Sequence, residues 1–224
     1  MAAIMQLLLA RTDTFKDKKE GVFHSAMKKE LGVIYQKINE NNDNAPEEIK
    51  NEDEFQAFLS DNTYINCWHK NIDESMVMWE VYGQTENSVV IKTTAKKLKA
   101  SFDLNTVMKF ALEVALDDIL YLNHEDAPAE RNYRQLFFMK RPHFSFENEV
   151  RLYLMARDKK TRLSAPLGYE ISVDLSIRIE DIYVHPDSEN WFFESVKDLV
   201  KRYEIKANVS RGISGNKVSA QFST

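Results

Sequence analysis

The stretch FENEVRLYLMA, residues 146–156, limits the fold more than any other part of the chain. Read as a strand, it places Glu147, Glu149, Arg151, Tyr153 and Met155 on one face and Phe146, Asn148, Val150, Leu152 and Leu154 on the other. A strand with one face in water stays polar on that face. This one turns apolar on both sides within a few residues, as a strand inside a sheet does. Two acids and a guanidinium therefore enter a sheet together. Same-face neighbours lie ~6.5–7 Å apart, so Arg151 can reach Glu149. A surface ion-pair ladder contributes at most ~1 kcal/mol, whereas breaking a semi-buried pair costs ~3–5 kcal/mol. The residues leave a surface ladder and the floor of a polar pocket both open, and the apolar continuation favours the pocket.

The remaining segments supply partners for that strand. QLLLA, residues 6–10, reads as a short buried strand, followed by the charged turn RTDTFKDKKEG. Met27, Leu31, Ile34, Tyr35 and Ile38 recur at helical spacing over residues 24–39. After the loop NENNDNAPEE, a second helix over residues 47–59 carries Phe55, Phe58 and Leu59. This pair forms a helical insert, residues 24–60. TYINCWH is a β-branched and aromatic strand. Asp73 then caps a helix with Met78, Trp79 and Tyr82 on its inner face.

SVVIKTT is the next strand and AKKLKASF a basic helix. Residues 106–123 fit a helix or two strands; the reading places strands at both ends, with ILYLN as the second. A helix follows over residues 131–139, and YEISVDL and IEDIYVHP are strands, the latter ended by Pro186. NWFFESVKDLVKRY is an amphipathic helix and EIKANVS a last strand. The order predicts an α+β fold with a mixed, largely antiparallel sheet and interspersed helices, in one domain over residues 1–224.

Composition excludes more than it identifies. A hydrophobic content of 43%, with 13 Phe, 9 Tyr and 3 Trp, supplies a sizeable core. The net charge of −5 gives no general pull toward nucleic acid or an anionic membrane, although FKDKK, AKKLK and RDKKTR are local basic clusters. Cys67 is the single cysteine, which rules out an internal disulfide and suits a reducing cytoplasm. The opening MAAIMQLLLA lacks a positive leader and is too short to span a bilayer, so a cytoplasmic protein is expected. Six glycines form neither a dinucleotide fingerprint nor a P-loop. A nucleophile elbow, a helix-borne zinc motif, paired zinc cysteines and an EF-hand loop are also missing, and no metal site is expected.

Seven residues remain as candidates for chemistry. Glu149 and Glu147 are the candidate catalytic carboxylates. Arg11, at the end of the first strand, belongs either to a solvated turn or to the pocket, where its planar fork would hold a carboxylate or phosphate. Arg151 would join it. Trp68, Trp79 and Tyr82 are either core or a wall on which a ring stacks. Cys67 and His69 share a strand face, a weak signal for a thiolate–imidazole pair because no third orienting residue follows.

Several blocks together resemble the bacterial domain of unknown function 2971 family. RTDTFKDKKEG, residues 11–21, is similar throughout to its opening R-x-D-x-F-x-D-x-x-E-G. Cys67 and Trp68 stand where it has C-W, and Met78, Trp79 and Tyr82 where it has M-W-x-x-Y. VIKT departs mildly, with Val90 in place of Ala. Lys140, Arg141, Phe144, Glu147, Glu149 and Arg151 match K-R and F-x-x-E-x-E-x-R. The resemblance implies a cytoplasmic bacterial protein without an established activity, with many relatives in mobile or defence-related neighbourhoods.

Two functions are therefore carried forward. One is a nucleotide-handling enzyme resembling ADP-ribosyltransferases. There Arg11 would hold a phosphate of NAD as substrate, and Trp79 or Tyr82 would stack on nicotinamide. Glu149 would stabilise the oxocarbenium-like transition state and Glu147 would orient or deprotonate the acceptor. The middle-strand serine or threonine of such enzymes has only Thr93 as a loose counterpart. The other is a non-catalytic ligand- or partner-binding module of a defence or mobile-element system, with the charges as a structural network. Neither reading sets the oligomeric state.

Overall fold

A computed structural model describes residues 4–15, 17, 20–23, 27–28, 30, 51–123, 126, 133–157, 167–175 and 179–213. In chain order the first elements are β1 (Ile4–Arg11), α1 (Glu52–Asn62), β2 (Thr63–His69) and α2 (Met76–Met78), the last continued by a π-turn over Trp79–Gly83. Next come β3 (Val89–Lys92), α3 (Ala95–Ala100), α4 (Leu104–Val107), β4 (Ala111–Asp118) and β5 (Leu120–Tyr121). A 3-10 turn, Tyr133–Phe138, leads into β6 (Met139–Lys140), and a second, Pro142–Glu147, leads into β7 (Glu149–Ala156). The chain then forms β8 (Gly168–Asp174), β9 (Asp181–Val184), α5 (Asn190–Arg202) and β10 (Asn208–Arg211).

These elements make an α+β fold with a largely antiparallel sheet. Five strands lie in the order β4-β7-β2-β1-β8. β7 is flanked by antiparallel β4 and β2, and all but one of its eight residues are buried. This is the interior position that its two apolar faces predict. A three-stranded sheet has the order β10-β9-β3, with β9 parallel to β10 and antiparallel to β3.

By its internal packing the chain divides into two compact units. One comprises Met1–Leu7, Asn71–Leu104 and Ile171–Thr224, the other Leu8–Lys70 and Asn105–Glu170. β1 and β8 have residues in both. In the second unit Leu59, Ile65, Leu136, Phe137, Tyr153 and Met155 form the centre of an apolar cluster. In the first, α5 buries Val196 and Val200, one helical turn apart.

Local chemistry explains several boundaries. Asn51 starts α1 by accepting from the backbone N–H of Asp53 and Glu54 at 3.1 and 2.9 Å, and three acids follow in the first turn. Of the expected stripe on that helix, Leu59 is buried while Phe58 is exposed. Apart from Met27, Lys28 and Glu30, residues 24–50 of the expected insert lie outside the described residues.

Ser75, not Asp73, caps α2: its hydroxyl accepts from Met78 N–H at 3.4 Å. The helix expected over residues 131–139 is a 3-10 turn where described and gives way to strand at Met139. The segment over residues 106–123 is also corrected. Its centre is the eight-residue β4, and ILYLN contributes only the two-residue β5. β4 alternates too weakly to be recognised alone, and its pairing with β7 stabilises it.

Candidate functional site

β7 begins at Glu149, two residues later than a strand that includes Glu147 would. Pro142 opens a 3-10 turn that ends at Asn148 in the left-handed region, φ 37°. Asn148 is tied to Lys70 twice: its C=O accepts from Lys70 N–H at 2.8 Å, and its side-chain amide donates to the Lys70 carbonyl. Glu147 therefore reaches the site from the turn, while Glu149 and Arg151 reach it from the strand. All three are buried, Arg151 to 1% exposure.

The charges complete one another. Arg151 donates to Glu149 through Nε at 2.6 Å and Nη2 at 3.2 Å, to the Phe137 carbonyl through Nη1 at 2.8 Å, and to Glu20 through Nη2. Lys140 Nζ donates to Glu147 at 2.5 Å and to Glu149 at 3.4 Å, and lies 3.6 Å from Glu20. Phe15 lies under the Arg151 guanidinium at 5.8 Å and Phe144 under Lys140 at 4.7 Å. At the margin Arg141 pairs with Asp17 at 2.8 Å. The backbone of Glu149 is satisfied as well, with its N–H donating to Tyr121 Oη at 2.8 Å and its C=O accepting from Ile119 N–H at 2.9 Å.

Ionisation follows from these contacts. Burial alone would raise the Glu149 pKa, but the hydrogen bonds and charge of Arg151, with Cys67 and Lys140, hold it below the ordinary carboxylate value. Burial alone would lower Lys140, and Glu147, Glu149 and Glu20 raise it instead. For Arg151 burial is likewise outweighed by Glu149, and its pKa rises. Three acidic side chains, Glu20, Glu147 and Glu149, thus face two basic ones, Lys140 and Arg151.

Cys67 lies opposite Arg151 in the β2–β7 register. It retains exposed surface, yet the atoms packed around it push its thiol well above the ordinary range, with Arg151 opposing and Glu149 adding. A raised thiol pKa disfavours the thiolate that a Cys67–His69 pair would need. The His69 ring bonds through Nδ1 to the Glu147 carbonyl, so Nδ1 carries the proton, and its buried Nε2 has no hydrogen-bond partner among the described residues.

The structure brings together Glu147, Glu149 and Arg151 but does not add Arg11. Arg11 pairs with Asp13 at 2.7 and 2.8 Å, and its register through Tyr64 to Leu154 sets it on the opposite sheet face from Arg151. Trp68 lies opposite Val150, also on that other face. Trp79 and Tyr82 belong to the other unit. Trp79 is buried there, donates to Glu74 at 3.1 Å and meets His185 edge-on at 5.2 Å, while Tyr82 is exposed. Strand alternation therefore turns Trp68 away from Glu149.

Glu20 and Lys140 are the members that sequence reasoning left out. Their signals were the E-G that closes the opening motif and the K-R before the acidic strand. Gly21 explains the first: its φ of +70° is left-handed, and an added Cβ would lie 3.0 Å from the Phe137 ring.

A cleft of about 20 Å³ lined by Asp17, Glu20, Lys140 and Arg141 adjoins the network, with room for about one water. A larger cleft of about 400 Å³ is lined by Asp117, Asp118, Leu120, Arg134, Gln135 and Phe138. Arg134 bridges Glu113 and Asp117 there, at 3.0 and 2.9 Å. Among the described residues no group of three or more His, Cys, Asp and Glu side chains is placed to hold a metal. None of the described helices is long and apolar enough to cross a membrane. No family model, curated protein or solved structure matches the chain.

Proposed function

We propose that this chain is a non-catalytic binding module whose interior charges organise the fold. The observation that carries the reading is the mutual consumption of the Glu147, Glu149, Lys140 and Arg151 side chains in one buried network. A catalytic carboxylate must meet its substrate within hydrogen-bond reach. The cleft beside this network holds about one water, and its lining includes Glu20 and Lys140 but neither Glu147 nor Glu149. A nicotinamide ribose needs far more room. Membership of the domain of unknown function 2971 family is part of the same proposal. It is supported by the way the motif blocks interlock: Asp17 and Glu20 of the first meet Arg141, Lys140 and Arg151 of the last.

The test is a thermal-shift panel with NAD, ATP, GTP and short oligonucleotides, paired with an assay for release of nicotinamide from NAD. The expected result is an unchanged midpoint with NAD and no nicotinamide release. A ligand at 100 times its Kd adds about 2.7 kcal/mol, a rise of roughly 5–11 °C for a chain of this size. Such a rise with NAD, or turnover abolished by Glu149→Gln in a folded protein, would replace this reading with the enzyme.

A further inference from the structure

We infer that β3 is a self-pairing edge through which two copies of this chain join their three-stranded sheets. β9 is central in that sheet, so among the described residues β3 has a strand partner on one side only. The carbonyls of Ser88 and Lys92 accept from His185 and Glu180 N–H, each at 2.9 Å, which turns the even-numbered residues of β3 toward β9. Antiparallel alternation then directs the N–H and C=O of Val89 and Ile91 outward. Among the described residues none of these four groups has a backbone partner outside the sheet. Val89, Val90 and Ile91 are 42%, 38% and 38% exposed, so the open edge is aliphatic along its whole centre. Ile72, 84% exposed, lies at its far end, where its carbonyl accepts from Lys92 Nζ at 3.3 Å.

Exposed aliphatic edges invite another strand, and folds normally blunt them with charge, proline or a bulge. No charge interrupts this edge before Lys92. Its flanks identify the occupant. Glu86 precedes the strand, while Lys92, Lys96 and Lys99 end or follow it. An antiparallel pairing centred on Val90 sets Val89 of one copy against Ile91 of the other, and the reverse, which gives four backbone hydrogen bonds about a two-fold axis. The same register brings Glu86 of each copy to the lysine-bearing end of its partner. Parallel pairing would stack lysine on lysine and glutamate on glutamate. Charge and symmetry therefore select a second copy of the same strand.

This inference rests on the binding-module reading and names its partner, but its test reads mass and not nucleotide binding, so the two fail separately. The experiment is sedimentation equilibrium on the full chain over a range of concentrations, with two variants. Val90→Lys places like charges opposite each other on the two-fold axis. Ile91→Pro removes two of the four outward bonds at an edge position where proline is tolerated. Wild type should move from monomer toward dimer mass as concentration rises. Both variants should stay monomeric with unchanged far-UV circular dichroism. A monomeric wild type throughout, including one whose edge takes a strand of another protein, overturns the inference. So does dimerisation of both variants at wild-type strength.

Discussion

Replacing Glu149 by Gln keeps the shape of the side chain and removes one charge from the buried network. The carboxylate has donors on both oxygens: Arg151 Nε on Oε1 at 2.6 Å, and Arg151 Nη2 and Lys140 on Oε2 at 3.2 and 3.4 Å. A glutamine offers one oxygen and one NH2, so in either orientation a donor faces a donor. Arg151, 1% exposed, cannot recover the lost bond from water. Breaking a buried pair of this kind costs ~3–5 kcal/mol. At ~2–4 °C per kcal/mol for this chain length, the melting point should fall by about 6–20 °C. Urea unfolding followed by circular dichroism measures the loss directly. The double variant Glu149→Gln, Arg151→Met tests the mechanism: removing the stranded guanidinium should make the pair less destabilised than the two single losses together. A fall under about 2 °C, or strict additivity, would refute the argument that these charges stabilise one another in the interior.

The central position of β7 was legible because alternation and hydrophobicity point the same way over residues 150–156. Both signals are local, and the neighbours β2 and β4 carry compatible patterns. The pairing of Arg151 with Glu149 was legible for the same reason, as an i,i+2 relation on one strand. Glu147 was also placed with them, but by strand alternation, whereas the 3-10 turn that delivers it begins at Pro142 and closes through a left-handed Asn148 held by Lys70, some 78 positions away in sequence. Arg11 fails differently. It is a strand-end arginine whose face depends on the β1–β2 register, and register is a property of two strands that neither encodes alone. Local competition from Asp13 then captures its fork. Glu20 meets Arg151 across 131 positions, a contact that no periodicity signals. Motif blocks indicated that these residues matter together; only the packing shows that what they share is a buried network.

Three further predictions follow from that packing. Gly21→Ala should destabilise the chain by ~1–2 kcal/mol for the left-handed backbone alone, with a further penalty from the Phe137 ring 3.0 Å from the new methyl; an unchanged urea midpoint would contradict it. Cys67, although exposed, should react with iodoacetamide at pH 8 more slowly in the folded chain than in urea, because its thiol pKa is raised; faster reaction in the folded chain would show an activated thiolate instead. The pH dependence of stability carries the network's signature at both limbs. The Glu149 pKa is depressed in the folded chain from its ordinary 4.5, so its contribution is fully present above that value and is lost as pH falls through the folded value. The Lys140 pKa is raised from 10.5, so its contribution is fully present below that value and is lost as pH rises through the folded value. Other carboxylates also titrate in acid, so the informative quantity is the difference between wild type and Glu149→Gln in unfolding free energy. That difference should be constant at neutral pH and shrink as pH falls below 4.5. Lys140→Met should do the same above 10.5. Parallel curves at both extremes would mean that neither group changes its affinity for protons on folding, and the interior ion network would have to be abandoned as the source of stability.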